Sequence, residues 1–180
     1  RLWAAINPKT SLLRHQLGER AGCLTTALLD FKYPGAAREF DWNLAHSLWT
    51  KNHLHLFSSE EKEVIIPFQE AFVQLQEIYQ KLPKSVIHND LNDYNILVSE
   101  DLSKPEVVSF IDFGDSVQTQ TINDLAILMA YAIMEVPDPL EAAIDVLKGY
   151  QSTYALSEEE IACLYTLIAM RLITTVTKAA

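Results

Sequence analysis

Cysteine is scarce. Only Cys23 and Cys163 occur in the 180 residues, far apart and without a CxxC pair, so neither a disulfide framework nor a zinc site is indicated. That usage predicts a reducing, cytoplasmic setting. Glycine and proline are sparse too, 5 and 7 residues, too few for a collagen-like or disordered chain. Positive charge is in deficit: 14 Lys and Arg stand against 24 Asp and Glu, a net charge of −10. That sign is wrong for gripping nucleic-acid phosphates and suits a small cationic ligand better. Long apolar runs are missing as well. The longest, residues 125–134, is far below the ~20 residues that cross a bilayer, so a buried helix and no membrane partner are predicted. The chain opens Arg1-Leu2-Trp3, without Met or a signal-peptide pattern, which predicts a piece of a longer polypeptide.

What is present is an ordinary globular composition, 49% apolar, in a length that suits one domain or one large lobe. Apolar residues Leu13, Leu17, Ala21, Leu24, Leu28 and Phe31 recur at helical spacing and predict a helix over 12–31, stopped by Tyr33-Pro34-Gly35. A second helix is predicted around Phe40, Leu44, Ala45 and Leu48. A third opens at Ser58, whose spacing to Glu61 matches a reciprocal cap, and runs toward Leu82 with a bend at Pro67. Three short β-branched runs follow, at 85–88, 95–98 and 107–111. Helical periodicity returns over 123–134, 139–150 and 157–178, the last with Ser157 and Glu160 in the capping pattern. The expected fold is therefore α+β and mostly helical, with a small β insert at its middle. Trp3, Trp42, Trp49, Phe68, Phe72 and Tyr79 are expected in the core, and His15, His46, His53 and His55 as surface or packing residues.

Polar chemistry gathers at the ends of the predicted strands, in His88-Asn89-Asp90-Leu91-Asn92-Asp93-Tyr94-Asn95 and in Ile111-Asp112-Phe113-Gly114-Asp115. Singly, Asp and Asn in such loops are turn formers. Together their spacing is specific: Asp90 precedes Asn95 by the offset of the kinase loop H-R-D-x-x-x-x-N, and Asp112-Phe113-Gly114 reproduces the magnesium-binding D-F-G. In phosphoryl transfer a hydroxyl must lie in line with a γ-phosphate whose charge a metal neutralises. Asp90 is the candidate to orient that hydroxyl and accept its proton, and Asn95 and Asp112 are candidate Mg²⁺ ligands, oxygen donors for a hard cation. His88 is expected to brace the loop. Asp124 is expected to act as, or beside, the cap of the helix that begins there, a structural role in which its carboxylate suits the positive end of the helix dipole.

These two loops resemble the signature of the aminoglycoside phosphotransferase family of protein-kinase-like enzymes. The Leu91-Asn92-Asp93-x-Asn95 variant, with the stretch from Leu17 through Arg38-Glu39-Phe40-Asp41-Trp42-Asn43-Leu44, is most similar to the hydroxylysine kinase branch. The resemblance implies transfer of the γ-phosphate of ATP or GTP to a hydroxyl of a small amine-bearing substrate such as hydroxylysine. It also implies that residues 1–180 are the large C-terminal lobe of a kinase-like fold. The chain has no G-x-G-x-x-G and no V-A-I-K-like strand, so the nucleotide-binding N-lobe is missing and the fragment alone is expected to be inactive. Relatives fused to an aminotransferase make such a fusion a candidate context. Asn89 stands where the family more usually has Gly. Asp93 and Asp115 are candidate amine contacts, or solvated loop carboxylates. Two other classes stay open: a non-catalytic kinase-like binding module, and metal-dependent hydrolysis through His88, Asp90, Asp93 and Asp112.

Overall fold

The computed structural model describes residues 1–101 and 103–180. Helix α1, Ser11–Leu28, begins where the Thr10 side chain accepts a hydrogen bond from Leu13 N–H, and buries Leu13, Leu17 and Ala21. It ends short of Phe31, which is exposed. Its partner is α4, Pro139–Gln151, and the two backbones touch. A β-carbon on Gly18 would sit 1.9 Å from the Val146 carbonyl oxygen, and one on Gly149 1.9 Å from that of His15. The crossing is tied further by Thr25 and Tyr150, whose hydroxyls lie 2.8 Å apart.

Helices α2, Ser59–Tyr79, and α5, Glu158–Ala179, both open with a complete capping box, Ser58 with Glu61 and Ser157 with Glu160. Each box satisfies two otherwise unpaired N–H donors. Helix α2 runs on through Pro67. Helix α3, Ile122–Ala132, is the innermost element, with every residue from Ile122 to Ala130 buried. Helix α5 is long and apolar enough to cross a bilayer. Most of its apolar surface instead packs against α2, α3 and the stretch Leu44–Leu56, in one continuous core with Leu164, Leu167, Met170 and Ile173.

Several expectations are corrected. The second helix is a 3₁₀ stretch over Leu44–Leu56, in which Ser47, Thr50, Asn52 and three His interrupt the better helix formers Leu and Ala. There are four strands among the described residues, not three. Strands β1 (Lys84–Ile87), β2 (Ile96–Val98) and β3 (Val107–Phe110) coincide with the predicted runs, and β4 (Val117–Gln120) was not foreseen. Its Thr119 and Gln120 are buried through side-chain hydrogen bonds, so no apolar alternation announces it. The strands form two separate antiparallel pairs, β1 with β4 and β2 with β3. Trp3, Phe72 and Tyr79 lie in the core, whereas Trp42, Trp49 and Phe68 are half-buried. Burial pushes the Tyr79 hydroxyl far above its usual pKa, against the bond it makes to Asn123.

Candidate active site

Register brings the two polar loops side by side. Residues 88–95 leave β1 at Ile87 and enter β2 at Ile96; residues 111–116 leave β3 at Phe110 and enter β4 at Val117. Ile87 pairs with Val117 and Ile96 with Phe110. Both loops thus span the same gap between the same two ladders, in opposite directions.

Hydrogen bonds then join them. Ile111 N–H donates to the Asn95 carbonyl at 3.0 Å. Asp90 N–H donates to Nδ1 of His88 at 3.2 Å, and Nε2 of His88 lies 2.9 Å from the Ile111 carbonyl. With Nδ1 facing the Asp90 N–H and Nε2 the Ile111 carbonyl, the ring ties the first loop to the second. That ring also packs on Phe113, with centroids 4.5 Å apart. Buried His88 therefore links the backbone of Asp90 to the residue just before Asp112.

From below, Asp124 holds the first loop. Its two carboxylate oxygens accept from His88 N–H at 2.9 Å and Asn89 N–H at 2.7 Å. Asp124 lies in the first turn of α3, beside the cap position that Thr121 occupies, and no side chain caps that end; its carboxylate supports the loop instead. Burial pushes the Asp124 carboxyl above the ordinary Asp value, opposed by His88, the two N–H bonds and Arg171. Asn89 takes the left-handed backbone, φ 70°, a region that Gly enters freely and Asn enters better than most residues.

The Asp90 carboxylate is clamped on three sides. Oδ2 accepts from the Asn92 and Asn95 side-chain amides, each at 2.8 Å, and Oδ1 accepts from Nη2 of Arg171 at 3.0 Å. Both lone pairs of Oδ2 are engaged, while one on Oδ1 stays open. The Asn95 amide also donates to the Asp90 carbonyl at 2.9 Å. With Nδ2 so committed, Oδ1 of Asn95 is free to ligate. Asp112 is exposed and left-handed, φ 63°, with Oδ1 accepting from Gly114 N–H at 3.3 Å. No side-chain bond links Asp112 to Asp90 or Asn95. An amide oxygen and a carboxylate form a hard donor pair that fits Mg²⁺, which takes few protein ligands and completes its shell with phosphates and water.

The weaker site candidates separate. Asp115 is half-buried, and desolvation, then the charge of Asp90, push its carboxyl up; Arg38 opposes, Asp112 adds and Arg171 opposes. Arg38 lies close by, donating to the Gly114 carbonyl at 2.8 Å. Asp93 instead pairs with Lys9 at 3.0 Å. It lines a cavity of about 450 Å³ with Asn92, Tyr131 and Glu135. Among the described residues no three His, Cys, Asp or Glu side chains gather as a metal cage. The hydrolytic reading through His88, Asp90, Asp93 and Asp112 therefore has no cluster to use.

Sequence reasoning missed Arg171 and Tyr131, and missed the two bonds by which Asp124 supports the first loop. The signal for Arg171 was available: it is the one charge in the apolar run Cys163 to Val176.

A family model described as "Phosphotransferase enzyme family" matches residues 2–159. The chain belongs to that family. Among curated members, the chain is 30% identical over 165 residues to hydroxylysine kinase of Danio rerio, covering 87% of this chain and 46% of the relative. It is 34% identical over 146 residues to hydroxylysine kinase of Xenopus laevis, covering 74% and 38%. The chain thus spans less than half the length of these relatives. Solved family structures share the fold. A microcompartment-associated aminopropanol kinase superposes with TM-score 0.72 at 19% identity, covering 93% of this chain and 54% of that one. An amicoumacin kinase, solved with AMP-PNP and Ca²⁺, gives 0.65 at 17%, covering 95% and 53%. The fold is the mostly helical, small-sheeted one of these kinases, and the homologues of the chain are kinases.

Proposed function

We propose that the protein containing this chain is a small-molecule kinase that moves the γ-phosphate of ATP or GTP to a hydroxyl of a small cationic amine or amino acid, hydroxylysine being the first candidate. Residues 1–180 are its helical C-terminal lobe, and the groups that grip the triphosphate lie in an N-lobe outside this sequence. The observation that carries the reading is the Asp90 carboxylate, fixed by Asn92, Asn95 and Arg171 with one lone pair of Oδ1 unused.

Asp90 orients the acceptor hydroxyl and takes its proton as the oxygen attacks; the γ-phosphoryl bond to the nucleoside diphosphate breaks as the bond to the acceptor oxygen forms. In this chemistry most of the catalysis is positioning and charge stabilisation. Asn95 and Asp112 hold Mg²⁺, which neutralises the phosphate charge when bound. His88 keeps the two loops in register. The −10 net charge and the carboxylates of Asp115 and Glu135 favour a cationic acceptor, Asp93 being paired with Lys9, and a cavity of about 450 Å³ beside Asn92 has room for a small one. A cytoplasmic setting supplies the nucleotide.

The test is to express the full native gene product and screen hydroxylated amines, hydroxylysine first, with ATP and with GTP, for acceptor-dependent loss of triphosphate. Turnover with any of them supports the reading. Nucleotide binding without turnover across the panel points to a non-catalytic module. In an active protein, Asp90→Ala and Asp112→Ala should each lower kcat by at least about 1,000-fold; the thermal midpoint should hold in Asp112→Ala, where the side chain is exposed, and fall in Asp90→Ala, which leaves the buried Arg171 charge without its partner. Normal turnover in Asp112→Ala would refute the metal assignment.

A further inference from the structure

Arg171 is out of place energetically. It sits midway along α5, only 2% exposed, flanked by Met170, Leu172 and Ile173 in a helix that otherwise supplies core. Its guanidinium lies over the Trp42 ring, 4.8 Å from the centroid, and 5.5 Å from that of Tyr131. Nη2 donates to Asp90 Oδ1 at 3.0 Å and to the Tyr131 hydroxyl at 3.2 Å. Nε and Nη1 are buried and, among the described residues, have no hydrogen-bond partner.

A buried ion pair is a poor stabiliser, because desolvation of the charges offsets their attraction, and apolar replacements of similar volume are often neutral or better. Two unpartnered N–H groups make this pair poorer still. Stability does not account for an arginine here; geometry does. Without Arg171 the Asp90 carboxylate would be held only at Oδ2, by two amides from its own loop, and would be free to pivot about that edge. Nη2 arrives from a different element, α5, and the guanidinium is held by the Trp42 ring, 4.8 Å away, and by the bond of Nη2 to the Tyr131 hydroxyl. Oδ1, the oxygen with the open lone pair, is the one it pins.

We infer that Arg171 is a positioning residue for phosphoryl transfer: it does not touch the acceptor, but sets the rotamer in which Asp90 presents Oδ1 to the hydroxyl. The Trp42 ring and the Tyr131 hydroxyl hold the guanidinium in place. This inference rests on the kinase reading for its catalytic consequence, and on the structure alone for its geometric one.

The experiment uses the full native gene product. Arg171→Met keeps the volume between the rings and removes the donor. Its thermal midpoint should fall, because Asp90 keeps its charge without its partner; in the folded variant kcat should fall by about 100-fold, the scale set by a mispositioned catalytic group, and acceptor KM should move less than about threefold. Arg171→Lys, which restores a donor without the planar stack, should recover part of kcat. A kcat within about threefold of wild type in folded Arg171→Met overturns the inference, as does a loss expressed mainly in KM. If Arg171→Met does not fold, Arg171→Lys must show the same kcat-selective loss in milder form.

A second readout needs no turnover. The side-chain amide NMR signals of Asn92 and Asn95 report on Oδ2 of Asp90, and should shift or broaden in Arg171→Met and be closer to wild type in Arg171→Lys. Unchanged signals would count against the pin. If the wild-type protein phosphorylates no acceptor, the proposed function fails, and these amide signals still decide the role of Arg171.

Discussion

Asn89 pays a conformational and a solvation penalty at once. It holds a left-handed backbone, φ 70°, is fully buried, and leaves both polar atoms of its amide without partners among the described residues. Glycine accepts that backbone at no steric cost and has no amide to desolvate, a cost of about 1–3 kcal/mol for an unpaired polar group. Asn89→Gly should therefore raise stability by about 1 kcal/mol, seen as a higher denaturation midpoint at unchanged m-value; a lower midpoint would mean that the amide is satisfied by bound water. The roles proposed for Asp90, Asn95 and Asp112 were legible in the sequence because spacing within one loop is local information. Arg171 stands 81 positions from Asp90, and nothing local joins them. Asp124 was legible only in part for the same reason: its place beside a helix start is visible in sequence, its two bonds to a distant loop are not.

Among the elements, the closest approach is that of α1 to α4, where Gly18 and Gly149 let main chain meet main chain. The obstacle to a side chain there is a carbonyl oxygen on a rigid helix, not a flexible tip. Gly149→Ala should cost about 3 kcal/mol, the upper range for overpacking a core, read as a loss of denaturation midpoint; a cost below about 1 kcal/mol would show that the helices can part easily. The caps of α2 and α5 were legible, since Ser-x-x-Glu is a four-residue pattern. The carboxyl of Glu61 is held below the ordinary Glu value by its bonds to Ser58, backbone first and then side chain. Its contribution to the helix start is present above the usual carboxylate range and fades as pH falls through that lowered value. Strand β4 was not legible, because its burial is polar and depends on Asn43 and Tyr79 from other parts of the chain.

At the scale of the molecule, the ligands proposed for Mg²⁺ are two, Asn95 and Asp112, and no cage of three or more His, Cys, Asp or Glu lies among the described residues. A metal so held depends on phosphate for its remaining ligands. In the full native gene product, Mg²⁺ with ATP should therefore raise the thermal midpoint well beyond Mg²⁺ alone, and Asp112→Ala should remove most of that excess. Equal stabilisation by Mg²⁺ alone would point to a protein-only metal site elsewhere. The sequence by itself determined what is encoded over short distances: apolar periodicity, two capping boxes, the spacing of Asp90 to Asn95, and the Asp112 turn. Only the tertiary structure decided that both loops bridge one gap between two ladders, that Asp124 supports the first of them, and that an arginine from α5 closes on Asp90. Those contacts join residues tens of positions apart through register and packing, and no stretch of the sequence carries them alone.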